Sequence, residues 1–186
     1  MSAPVVRWQF TTSDYQSMMR YGILTEEDRT ELISGEVLAM SPIGSRHAAC
    51  VNRLTHWFTT KLGARAIASV QNPIHISARS EPQPDLALLR PRADFYADAL
   101  PEPADVWLVI EVADTSVEFD RETKLPLYAR AHIAETWLWD LSAHRLLVFT
   151  HPTTDGYSAM RQLGRGESIA PQAFPDLEIA VSEILG

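Results

Sequence analysis

Val106-Trp107-Leu108-Val109-Ile110-Glu111-Val112-Ala113 is a run of eight residues broken by a single acid. A nearly continuous apolar run of this length is expected of a central β-strand covered on both faces, since a strand with one wet face alternates apolar and polar residues. Glu111 is the anomaly in it. A lone carboxylate in such a strand is costly to bury unless a cation or hydrogen bonds compensate, so the sequence should supply a compensating group close by.

Working upstream, Pro84-Asp85-Leu86-Ala87-Leu88-Leu89 is a second apolar run, opened by another acid. The two runs are expected to be neighbours in the core. If they pair, Asp85 and Glu111, 111 − 85 = 26 positions apart, meet at one end of the sheet, as a hard cation with oxygen ligands requires. Working downstream, Lys124 lies 124 − 111 = 13 positions past Glu111, early in a helical pattern running from Glu118 to Ala131. It shares a side with Leu127 and Tyr128, so its ammonium can return to the acids, orient a water and stabilise charge developing at phosphorus. Pro126 complicates this helix: either Thr123 caps it and leaves the proline in the first turn, or the helix kinks. Taken singly, Asp85 reads as a turn cap and Lys124 as a solvated helix lysine, whereas for Glu111 a structural ion pair with Lys124 or Arg130 is the lesser alternative. The three together favour a site.

The rest of the chain frames these elements. Thr12 or Ser13 caps a short helix to about Arg20, and Thr25-Glu26-Glu27-Asp28 opens another turn. Arg29 to Met40 reads as a hairpin around Ser34-Gly35. A long helix from Gly44 or Ser45 to about Leu62 carries Ala48, Val51, Leu54, Phe58 and Leu62 at three- and four-residue steps and stops at Gly63. Strands are expected at Ala66–Val70, Ile74–Ser77, Asp85–Leu89, Val106–Ala113, Glu135–Trp139, Arg145–Thr150 and Tyr157–Gln162, before a C-terminal helix, Val181–Leu185. Trp137 and Trp139 alternate around Leu138, which fits core packing better than base stacking. Cys50 has no motif of a nucleophile around it.

Several segments, in order along the chain, resemble the Uma2-like, or DUF820, family of PD-(D/E)XK nucleases. They are Glu31-Leu32-Ile33-Ser34-Gly35-Glu36, Ser80-Glu81-Pro82-Gln83-Pro84-Asp85 with the strand after it, Val109-Ile110-Glu111-Val112-Ala113, and Asp120 through Ala129. The resemblance implies an α/β, restriction-endonuclease-like fold: a mixed β-sheet flanked by helices, with an N-terminal hairpin. It implies Mg²⁺ or Mn²⁺ held by Asp85, Glu111 and the Val112 carbonyl, and hydrolysis of DNA phosphodiester bonds. The position two past Glu111 is Ala113, where the superfamily pattern has lysine, and Lys124 fits the place of a lysine migrated to the next helix. The resemblance also places a histidine near His47, which touches substrate or else serves as a core or capping residue. An acid from the hairpin, Glu31 in preference to Glu36, resembles the further metal ligand or water-orienting residue of related nucleases, beside an equal reading as a surface acid of the turn. Gln71 and Asp120 stand near the expected site, though loop or cap roles suffice for them.

Length and composition bound the partners. A chain of 186 residues with 46% hydrophobic content predicts one domain over residues 1–186. Cys50 alone cannot form an internal disulfide, Met1–Phe10 lacks a secretory pattern, and the longest apolar run is far short of a bilayer span, so a cytoplasmic protein without a membrane partner is expected. The net charge of −8 opposes strong phosphate-backbone binding, which predicts weak intrinsic DNA affinity or a surface completed by a homodimer. Two further readings remain: a non-catalytic nucleic-acid or protein-interaction module that keeps the fold, and a hydrolase of small phosphoesters.

Overall fold

The computed structural model describes residues 6–185. Residues 1–5, half of the stretch read as lacking a secretory pattern, and residue 186 lie outside the described residues. Helix α1 (Thr12–Arg20) is capped by Thr11, which forms a reciprocal capping box with Asp14. Strands β1 (Thr30–Ile33) and β2 (Glu36–Ala39) pair antiparallel as the expected hairpin. Its turn holds Ser34 and Gly35 at φ of 50° and 82°, the left-handed region that a two-residue hairpin turn demands.

After α2 (Ser45–Leu62) come β3 (Ile67–Val70), β4 (Leu86–Leu89) and β5 (Val106–Ala113). A crossover helix, β6 (Glu135–Asp140), β7 (Arg145–Thr153) and β8 (Gly156–Leu163) complete a six-stranded sheet ordered β3-β4-β5-β6-β7-β8. The β5–β6 pair is parallel and the other pairs are antiparallel, so the sheet is mixed as expected. The short strands β9 (Ser168–Ile169) and β10 (Ile179–Ala180), which periodicity does not signal, pair ahead of the final helix, α4 (Val181–Leu185).

Both faces are covered. Leu54 and Phe58 of α2 pack with Leu86, Leu108 and Ile110, and Val181 and Ile184 of the final helix join the same cluster. On the other face Val109 packs with Tyr128 and Ile133, and Ala113 with Leu125 and Leu138. Strand alternation therefore places Val109, Glu111 and Ala113 on the crossover-helix side. Trp137 and Trp139 are fully buried, in the core as expected.

Two expectations need correction. Ile74–Ser77 is not a strand: it faces the segment carrying Pro82 and Pro84, which lack the N–H groups a ladder needs, and only an isolated bridge between Ser77 and Ser80 forms. The crossover helix, α3, is three pieces: an α turn Val117–Phe119, a π turn Asp120–Lys124 and an α segment Leu125–Arg130. The Leu125 N–H reaches back to the Asp120 carbonyl, five residues away. This widened turn comes just before Pro126, whose missing N–H disfavours a regular α ladder there, so of the two alternatives the cap at Thr123 falls, and the helix runs on through an irregular π turn.

Candidate active site

Antiparallel pairing sets Leu86 opposite Ile110, which brings Asp85 beside Glu111 at the carboxyl end of β5. The acids are tied through the backbone: the Val112 N–H donates to Asp85 Oδ2 at 2.8 Å, and the Asp85 N–H donates to Glu111 Oε2 at 3.4 Å. The other oxygen of Glu111 accepts from the Tyr128 hydroxyl at 2.6 Å. Lys124 stands one turn before Tyr128 on the same face of α3, with Nζ 3.3 Å from Glu111 Oε1 and 3.1 Å from Glu31 Oε2. The ammonium also donates to the Gln83 carbonyl at 3.4 Å, and the Gln83 N–H donates to Glu31 at 3.1 Å.

His47, in the first turn of α2, places Nε2 3.0 Å from Asp85 Oδ1, and Gln71 Nε2 donates to the same oxygen at 3.3 Å. The Nδ1 atom of His47 is buried without a hydrogen-bond partner. The structure thus brings together Asp85, Glu111, Lys124, His47, Val112 and Glu31. Glu36 stays on the surface, where it pairs with Arg7, and Arg130 is exposed on the far end of α3, away from Glu111.

The electrostatics follow from burial. Glu111 is 2% exposed, and desolvation holds its carboxyl well above the usual range against the pull of Lys124 and the Tyr128 hydroxyl. Asp120, buried in the π turn and bonded to the Ser116 hydroxyl, is raised to about 6 by desolvation, only partly opposed by Lys124. For Lys124 burial acts downward, but Glu111, Glu31, Asp120 and Asp85 together outweigh it and hold the ammonium above its ordinary range. Hydrogen bonding to Asp85 raises His47 despite its burial.

Four acids share one lysine, more carboxyl groups than a single ammonium can pair. The donor set, carboxylate oxygens of Asp85 and Glu111, fits a hard cation that keeps most of its shell from water and substrate, as Mg²⁺ does. A ready cage of three protein ligands is absent: no group of three His, Cys, Asp or Glu side chains among the described residues is arranged to hold a metal. These residues line a cleft of about 840 Å³.

Sequence reasoning missed Tyr128 as a polar group, having read it as an apolar sheet-facing residue. Its signal was present, since it lies one helical turn past Lys124 and so faces the same acid. Gln83 could not have been found, because it acts through its backbone.

Comparison with known proteins supplies the family. A crystal structure described as "a putative nuclease belonging to DUF820", from Anabaena variabilis ATCC 29413, superposes with a TM-score of 0.73 over 95% of this chain and 97% of the other. At 12% identity that likeness shows the fold. A search of curated proteins finds no match. No helix among the described residues is long and apolar enough to cross a membrane. A family model described as "Putative restriction endonuclease" matches residues 13–182, a description that supports a nuclease function in general terms, and the chain belongs to that family, Uma2.

Proposed function

We propose that this chain is a divalent-metal-dependent endonuclease that hydrolyses DNA phosphodiester bonds in the cleft around Asp85 and Glu111. The observation that carries the reading is the meeting of two acids 26 positions apart with a buried ammonium 3.3 Å from one of them, at the floor of an open cleft. A merely structural ion pair needs neither the second acid nor the opening.

Asp85 and Glu111, with the Val112 carbonyl, would hold Mg²⁺ or Mn²⁺. When bound, the ion supplies Lewis-acid neutralisation of the charge that develops on the phosphoryl oxygens. Lys124 stays protonated in this setting, so it serves as a hydrogen-bond donor that orients the attacking water and not as the base that deprotonates it. Glu31 holds the other side of the ammonium, a positioning role in place of direct ligation. His47 acts through Asp85, fixing the carboxylate oxygen that its Nε2 touches. In the reaction a water oxygen bonds to phosphorus and releases one proton to solvent, one ester P–O bond breaks, and the leaving oxygen takes up one proton from solvent.

The test is cleavage of plasmid and oligonucleotide DNA with Mg²⁺ and with Mn²⁺ by the wild type, Asp85→Asn, Glu111→Gln and Lys124→Met. Wild-type cleavage with loss in all three variants is expected. Undiminished cutting by any variant removes that residue from the assignment, and Mn²⁺ binding without cleavage of any substrate by the wild type overturns the enzyme reading.

A further inference from the structure

The cleft has a second kind of wall. Phe119, 39% exposed, and Ile43, 41% exposed, line it together with the half-buried Met19 and Met40. Phe119 lies in the first turn of α3, directly before Asp120 and five positions before Lys124. Ile43 lies in the loop before α2, four positions before His47. Large apolar side chains are thus open to solvent beside the cluster of acids around Lys124, a wall against which an apolar group of an occupant can lie.

The charges of the cleft point to the kind of occupant. Six carboxylates line it, those of Glu26, Glu31, Asp85, Glu111, Asp114 and Asp120, against three groups able to carry positive charge, Arg29, His47 and Lys124. Lys124 is enclosed by Glu31 and Glu111, and His47 is held by Asp85. Beyond the rim, Arg46 is committed to Asp114 at 3.0 Å and to the Leu141 carbonyl at 2.8 Å. Arg29, which donates to the Ser41 carbonyl at 3.2 Å, is the remaining cation of the lining. Duplex DNA is held by rows of Lys and Arg on the phosphates of both strands, and this cleft offers none. An unpaired strand still needs backbone contacts to cations, but it also exposes its bases, and each base stacked on an aromatic side chain adds affinity that a closed duplex cannot gain. The volume, about 840 Å³, lies in the range of sites for small molecules and suits a nucleotide-sized group.

We propose that the cleft receives an unpaired nucleotide, its base against Phe119 and Ile43 and its phosphate over Asp85 and Glu111, so that single-stranded segments and flaps are preferred over intact duplex. This rests on the nuclease reading and narrows its substrate.

The experiment measures kcat/KM with Mn²⁺ on one labelled sequence presented as a single strand, as a flap and as a blunt duplex. Single strand and flap should be cut at least about 10-fold faster than duplex. Phe119→Ala should shrink that preference about 10-fold, chiefly through KM, and Phe119→Trp should restore it. Phe95→Ala, which removes an exposed aromatic (74% exposed) outside the cleft lining, should change neither. Equal cutting of all three substrates, or a preference indifferent to Phe119→Ala, overturns the inference and leaves the nuclease reading standing. If no substrate is cut, the nuclease reading fails instead. Fluorescence anisotropy with the same strands and Ca²⁺ then decides the inference without turnover: tighter binding of the single strand that weakens in Phe119→Ala supports it, and equal affinities overturn it.

Discussion

Two buried glutamates on adjacent parallel strands meet opposite fates in this fold. Glu135, at the start of β6, is 1% exposed, and Glu111, near the end of β5, is 2% exposed. Burial raises the carboxyl pKa of both. Glu135 takes the Trp137 indole N–H on one oxygen and the Gln172 backbone N–H on the other, both at 2.7 Å. Its donors are neutral, each oxygen has a partner, and it does not line the cleft. Glu111 is held by a phenol and an ammonium, beside three other acids, at the floor of a cleft. An acid buried alone among neutral donors stitches the fold; acids crowded around a cation under an opening store unbalanced charge that a ligand can neutralise.

The comparison breaks most readily through isosteric substitution. Glu111→Gln should lower DNA cleavage by more than about 100-fold, as expected when a group stabilising the transition state is lost. Glu135→Gln should leave the rate within about twofold, because it touches nothing in the cleft. Thermal melts should not follow the rates: Glu135→Gln turns one amide N–H toward a donor and should cost about 1–3 kcal/mol, and metal-free Glu111→Gln, whose amide likewise meets only donors, should cost a comparable amount. Loss of cleavage in Glu135→Gln with its melt unchanged would break the distinction.

Lys124→Met sharpens it from the cation's side. Cleavage should fall about 100-fold, and stability should fall by about 3–5 kcal/mol, since Glu31 and Glu111 lose their shared partner in the interior. Unfolding by denaturant and single-turnover cleavage read the two losses separately.

A smaller effect is expected of Tyr128→Phe, which removes the 2.6 Å hydrogen bond to Glu111 and almost no volume. Positioning partners of this kind are worth about 10-fold or more, and the loss should appear in a Mn²⁺ titration as well as in the rate. An unchanged Mn²⁺ affinity would leave the hydroxyl a packing role like that of the Trp137 indole beside Glu135.

The mildest expectation concerns pH. The folded carboxyls of Asp120, raised from 3.8 to about 6, and of Glu111, held by burial well above its ordinary range, keep protons that the unfolded chain releases. The folded state binds more protons across that window, so metal-free stability should fall as pH rises from about 4 through about 6 and beyond. Melts across this range should show a shallower slope for Glu111→Gln than for Glu135→Gln. Equal slopes would mean that the two acids are alike in their electrostatics.

Much of this was legible along the chain because apolar periodicity and turn chemistry are local. The β5 run, the Ser34-Gly35 hairpin and the α2 stripe all follow from spacing, and Asp85, Glu111 and Lys124 stand out because acids and a lysine are costly at core-facing positions. Ile74–Ser77 misled because its residue types suit a strand, while the prolines that deny it a ladder sit in the facing segment. The π turn was hidden for a similar reason: Pro126 announces a disturbance in the helix without saying which of several backbone solutions the packing selects.

What the sequence determined by itself was which apolar runs must be inside, and therefore that Glu111 would be buried with charge to compensate; the burial of Lys124 itself came only with the fold. What only the tertiary structure decided was how the compensation is shared: Glu31 across the ammonium, Tyr128 on Glu111, His47 on Asp85, and Glu135 satisfied apart from them all. Burial is a property of one residue's surroundings and leaves a trace in local pattern. Hydrogen-bond partnership depends on ångström-scale approach between segments up to 93 positions apart (124 − 31 for Lys124 and Glu31), and no local pattern records it.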